Sequence, residues 1–123
     1  GESASAQLFD LLAVHWGAVK AYDKATFEAS KSAKDNSVTL LTENARAIAQ
    51  FLGNANPHLP EDAVFGLLAA HGAHHVTQID QIKARQFEKE AETWAAMRKH
   101  MLVIADSIAE ALAKQFPEKF ARS

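Results

Sequence analysis

A chain of 123 residues with a formal charge of −2 is the size of one domain and carries no electrostatic argument for nucleic acid or an anionic membrane. It has no cysteine, which excludes disulfides, iron–sulfur clusters and thiolate zinc sites. No apolar run approaches the roughly 20 residues that cross a bilayer, so membrane insertion is not expected.

The opening stretch, residues 1–6, reads as a flexible, small-residue segment ahead of one folded unit at 7–121. Such a stretch resembles the mature end left by signal-peptide removal, which gives an extracytoplasmic expectation, periplasmic or secreted. Alanine, leucine, glutamate, lysine and glutamine dominate the rest and favour helix.

Helix 1 is predicted over about residues 6–29, because Leu8, Leu11, Leu12, His15, Val19, Tyr22 and Ala25 recur at steps of three and four. Helix 2 is predicted over 32–52, with Leu41, Asn44, Ala45, Ile48 and Leu52 inward and Gly53 as its stop. Asn54 to Leu59 then forms a connecting loop. Pro60, Glu61 and Asp62 suit a helix start, since proline fits the first turn and the acids face the positive end of the dipole. Helix 3 runs from there to Ala84, with Val64, Leu67, Leu68, His71, His75, Gln78 and Ile82 inward. The link at Arg85 and Gln86 lacks glycine, so a bent continuous helix is one outcome there. Helix 4 is predicted over 87–115, with Trp94, Met97, Met101, Ile104, Ile108 and Leu112 inward, and Pro117 ends it. Four amphipathic helices with short links predict an all-α, antiparallel four-helix bundle.

The two halves correspond. Leu11-Leu12-Ala13-Val14-His15 matches Leu67-Leu68-Ala69-Ala70-His71 at a spacing of 56, and Asn44 falls on His100 at the same spacing. The bundle therefore reads as two copies of one hairpin. If each hairpin folds near its middle, His15, Asn44, His71 and His100 lie at one height. Converging inward side chains are how bundles build metal and cofactor sites.

Three imidazoles, from His15, His71 and His100, form a plausible cage for copper, zinc or iron, with a position left for water or Asn44. His71 and His75 are four apart on one helix face, a spacing that chelates metals, which makes His75 an auxiliary ligand. His75 taken alone also reads as a half-exposed flank residue, and His58 as a solvated loop residue. Met97 and Met101 border His100 and read as core filler or soft ligands for Cu(I). Trp16 and Trp94 read as packing residues, and Tyr22 as a core tyrosine. The competing reading is a metal-free polar layer of histidine and asparagine that fixes helix register. A haem in the same space is a further alternative.

Motifs that are missing narrow the choice. The chain has no Glu-x-x-His pair for a di-iron site, no His-Glu-x-x-His, no nucleotide-binding glycine loop and no nucleophile elbow. Enzyme assignment has no positive support, and the expected partner is a metal ion acting in carriage, buffering or sensing.

The strings Leu11-Leu12-x-x-His15, Asn44-Ala45, Leu67-Leu68-x-x-His71 and Gln115-Phe116-Pro117-Glu118-Lys119-Phe120 resemble a poorly characterised family of bacterial helical-bundle proteins. That family has Leu-Leu-x-Glu-His in both hairpins and ends in Gln-Phe-Pro-x-(Lys/Arg)-Phe. The resemblance spans about Leu8 to Phe120 and implies the helical fold without a settled activity. Val14 and Ala70 stand where the family has glutamates, so any site using them is altered. A lesser similarity to hemerythrin-like bundles rests on His71-x-x-x-His75, but helix 2 lacks that family's His-x-x-x-Glu.

Overall fold

The computed structural model describes residues Gly1–Phe120, and position 121, expected to close the folded unit, lies outside the described residues. Four long helices follow one another: α1 (Glu2–Phe27), α2 (Lys31–Ala55), α3 (Glu61–Lys83) and α4 (Phe87–Gln115). A short α5 (Pro117–Phe120) closes the described chain. There is no strand among the described residues. No helix is long and apolar enough to cross a membrane.

Helix α1 starts at Glu2 instead of Ala6, so the segment expected to be flexible is helical, with Glu2 at the positive end of the dipole. Helix α2 also outruns its predicted end. Gly53 does not stop it, because the residue keeps helical geometry and serves a close approach instead. A Cβ there would lie 3.2 Å from the Leu59 carbonyl oxygen. Asn56 ends α2, and its side chain accepts from His58 N–H at 2.8 Å, an Asx turn that closes the loop to α3.

Both tight turns use one device. Ala29 and Arg85 have φ of 55° and 57°, the left-handed conformation that usually goes to glycine. Around the first turn, Ala29 N–H donates to Thr26 and Ser30 N–H to Ala25. Around the second, Arg85 N–H donates to Ile82 and Gln86 N–H to Gln81. These are Schellman pairs, which satisfy orphan carbonyls at the end of a helix. The helix therefore breaks at Arg85 without glycine and does not continue as a bend.

The helices pack in chain order, α1 on α2, α2 on α3 and α3 on α4, with α1 also meeting α3. Helices α1 and α4 have no close backbone approach among the described residues. On these two helices Leu12, Trp16, Trp94, Met101 and Leu112 are exposed, against the inward or packing role expected of them. Ile82 is exposed too.

The core is thin and rich in alanine. Ala18, Val19 and Leu41 form one buried cluster, and Ala49, Leu59, Val64 and Ala111 another. Tyr22 is buried as expected, and its hydroxyl donates to Asp80 Oδ2 at 3.0 Å. Lys34 Nζ reaches Asp80 Oδ1 at 2.7 Å, so one carboxylate ties α1, α2 and α3 together.

The left-handed turns generate a prediction. Left-handed geometry costs a residue with a Cβ about 1–2 kcal/mol, partly offset by the greater freedom that glycine has in the unfolded chain. Ala29→Gly and Arg85→Gly should each raise the unfolding free energy by about 0.5–1 kcal/mol in urea denaturation. Ala29→Val should lower it.

Candidate metal centre

The facing surfaces of α1 and α3 bring three histidines together. His15 comes from α1, and His71 and His75 come from successive turns of α3. The His71 and His75 ring centroids lie 4.5 Å apart, and the His15 centroid lies 5.8 Å from one and 6.0 Å from the other. One ring nitrogen from each residue falls within 4.8 Å of the other two. His71 Nε2 and His75 Nε2 are 3.1 Å apart.

That last distance can be compared with coordination geometry. Nitrogens bound tetrahedrally at 2.0–2.1 Å to one ion sit about 3.3 Å apart. The two α3 imidazoles are therefore already close to ligand spacing, and the third must move inward to join them. As it stands the pair shares a proton, since one Nε2 must donate to the other.

All three rings are neutral at ordinary pH, and burial is the first cause in each case. Burial lowers His71 from its usual 6.5 to about 4, and the neighbouring histidines His75, His15, His100 and His74 push it in the same direction. Burial likewise lowers His75, with His15 and His74 adding to it. His15 is also lowered by burial, in part offset by the Asn44 carboxamide beside it. A neutral imidazole has a free lone pair, which is the form that binds metals. His15 Nε2 is buried without a hydrogen-bond partner, as are His71 Nδ1 and Asn44 Oδ1. An orphaned buried nitrogen costs roughly 1–3 kcal/mol unless something fills its vacancy.

Asn44 and His100 are placed differently from the cage expected of them. Asn44 is buried on α2 and donates its Nδ2–H to the Leu11 carbonyl at 2.9 Å. His100 is not among the clustered imidazoles, because its Nε2 lies 2.8 Å from the Leu67 carbonyl oxygen. That nitrogen must carry the proton, and so it has no lone pair to offer. The His100 ring instead lies 5.6 Å from that of His74. Both contacts span 33 positions and end on the carbonyl four residues before a cluster histidine. Asn44 thus grips the turn carrying His15, and His100 grips the turn carrying His71.

His75 therefore takes the place that sequence reasoning gave to His100. The signal was present in the four-residue spacing from His71, but an intermediate position on the helix face concealed how far the ring turns inward. Met97 is buried and Met101 exposed, and neither belongs to the histidine cluster. His58 is exposed in its loop.

No family model, curated protein or solved structure matches this chain.

The depressed histidines set a pH dependence. Their folded pKa values lie below the unfolded value, so the unfolded chain binds more protons in between. The stability from keeping them neutral is complete above about pH 6.5 and is lost as pH falls toward 4. In chelator, the midpoint of thermal unfolding should drop steadily over that window. His71→Leu should flatten the slope, as read by circular dichroism at matched ionic strength.

Proposed function

We propose that this protein binds a transition-metal ion, copper, zinc or iron, through His15, His71 and His75, and serves in metal carriage, buffering or sensing. The observation that carries the reading is the meeting of three uncharged imidazoles, one nitrogen from each within 4.8 Å. Neutral rings need lose no net proton at pH 7, because the Nε2 that donates between His71 and His75 has only to pass its hydrogen to its own Nδ1, so binding would be little opposed by protonation. Imidazole suits several first-row ions, and an all-nitrogen set does not choose among them. Three protein ligands would leave a further coordination position for water or a small molecule.

In this reading the fold is an antiparallel four-helix bundle built from two copies of one hairpin. Helix ends 56 positions apart, at Phe27 and Lys83, and helix starts at Lys31 and Phe87, support it. Asn44 and His100 act as positioning residues that hold the two histidine-bearing turns. Their carbonyl contacts also favour the second reading, a polar layer that sets helix register, for these two residues though not for the cluster.

Metal content measured by mass spectrometry after chelator-free purification separates the two. The wild type should carry a single ion per chain. His15→Ala, His71→Ala and His75→Ala should each weaken cobalt(II) binding by more than the roughly 10–100-fold that loss of an outer-shell partner costs. His100→Ala should keep its metal while losing about 1 kcal/mol of stability with its hydrogen bond. Substoichiometric metal in the wild type, with titrations unchanged in the three cluster variants, would leave only the register layer.

A further inference from the structure

Helix α2 is packed by both α1 and α3, whereas α4 is packed by α3 and makes no close backbone approach to α1 among the described residues. The faces left open on α1 and α4 correspond, position for position, to a contact that the chain does make. Helices α1 and α3 end 56 positions apart, at Phe27 and Lys83, and α2 and α4 begin 56 apart, at Lys31 and Phe87. Val38 and Leu41 on α2 meet Leu68 and Gly72 on α3 around one pocket of about 330 Å³. Their counterparts at that spacing are Trp94 and Met97 on α4, and Leu12 and Trp16 on α1.

These counterparts have no cover. Phe9, Leu12 and Trp16 recur at steps of three and four, which makes one stripe on α1, and all three are exposed. On α4, Trp94 and Met101 are exposed two turns apart on one face. Trp16 is 64% exposed and Trp94 49%, high values for the largest apolar side chain. A hollow of about 540 Å³ beside Trp94 and Met101 takes its walls from α4 alone.

The exposed area points to what covers them. The chain exposes 8221 Å², whereas a compact monomer of 13.4 kDa exposes about 6,500 Å². The difference, roughly 1,700 Å², is more than the ~800 Å² that each partner gives to a standard interface. One chain presents both halves of an α2–α3-type contact and joins neither to the other. A second copy supplies both at once.

We propose that two copies of this chain pair through these faces, α4 of each on α1 of the other, with Trp16 packed against Trp94 of the partner subunit. Two-fold symmetry makes the contact twice and leaves no open end. The two indoles fill the space that Val38 and Gly72 leave as a pocket between α2 and α3. Tryptophan suits the centre of an interface, because it buries a large area and is a frequent anchor there. The inference rests on the 56-residue correspondence and is independent of metal binding.

Sedimentation equilibrium of the full chain in chelator, where no ion can bridge two chains, reads the pairing. The wild type should be a dimer. Its only tryptophans are Trp16 and Trp94, so their emission should move to shorter wavelength as concentration rises. Trp16→Glu and Trp94→Lys should each keep the helical circular dichroism of the wild type, because both side chains are exposed. Each should weaken pairing by about a hundredfold or more, since every change is met twice in the pair. Mixed together, the two variants should pair again, because the mixed dimer keeps one unaltered contact and sets opposite charges together in the other. Leu40→Glu, at an exposed apolar position on α2, should pair as the wild type does. A chain still monomeric at millimolar concentration, unchanged pairing in either tryptophan variant, or a mixture that stays monomeric would overturn the proposal.

Discussion

Three imidazoles facing one another without charge is the constraint on which the functional reading depends. Any one of them protonated would place a cation beside two rings that are themselves half-buried, and burial already resists that charge. The consequence is a set of lone pairs directed into a confined space. Two of these nitrogens satisfy each other at 3.1 Å, while His15 Nε2 is left unpaired. One hydrogen bond occupies two of the three facing rings and leaves His15 Nε2 over, whereas a single ion can accept a lone pair from all three.

The cluster is held from behind by contacts that do not touch it. Helix α2 reaches α1 through Asn44, and α4 reaches α3 through His100, each ending on a backbone carbonyl one turn before a cluster histidine. A backbone carbonyl in a helix has a second lone pair, so it can accept from the neighbouring helix while keeping its own helical bond. Such a bond fixes both the height and the rotation of the turn it ends on. At this 56-residue spacing α2 has asparagine and α4 histidine, and either supplies an N–H of suitable reach. His100 was legible as a buried histidine and illegible as a donor, since sequence gives residue types at a height but not which atom of a ring is used.

Much of the helical layout was readable from the residues. Apolar steps of three and four and the Pro60-Glu61-Asp62 start locate the long helices, and the Phe87–Gln115 span agrees with the expectation at both ends. The failures have local physical reasons. Gly53 looked like a stop, but its missing Cβ serves the Leu59 carbonyl across the loop, a contact that only the folded chain makes. Arg85 carries a left-handed turn that propensity assigns to glycine. In the candidate site His15 and His71 meet, while Asn44 is buried on α2 and bonds the Leu11 carbonyl. The exchange of His100 for His75 depended on ring rotation, which periodicity does not encode. Trp16, Trp94 and Met101 satisfied an inward or packing pattern yet stay exposed, because a stripe predicts burial only if a neighbouring helix comes to cover it.

The thin core gives the proposed ion a second consequence. Alanine dominates the interior, and among the described residues no large side chain is completely buried. Alanine contributes little apolar area, so the hydrophobic term is small relative to the conformational entropy of ordering more than a hundred residues. In a domain where these terms nearly cancel, an ion present at a hundred times its dissociation constant adds about 2.7 kcal/mol to the folded state. That is a sizeable share of the roughly 5–15 kcal/mol that separates folded from unfolded domains. The histidines come from α1 and α3, so an ion among them would brace these two helices against each other. The α1–α3 contact is where such a brace has most effect, because α4 makes no close backbone approach to α1 among the described residues. Occupancy of the cluster and cohesion of α1 with α3 would then be coupled, and such a protein would register the metal in its own stability.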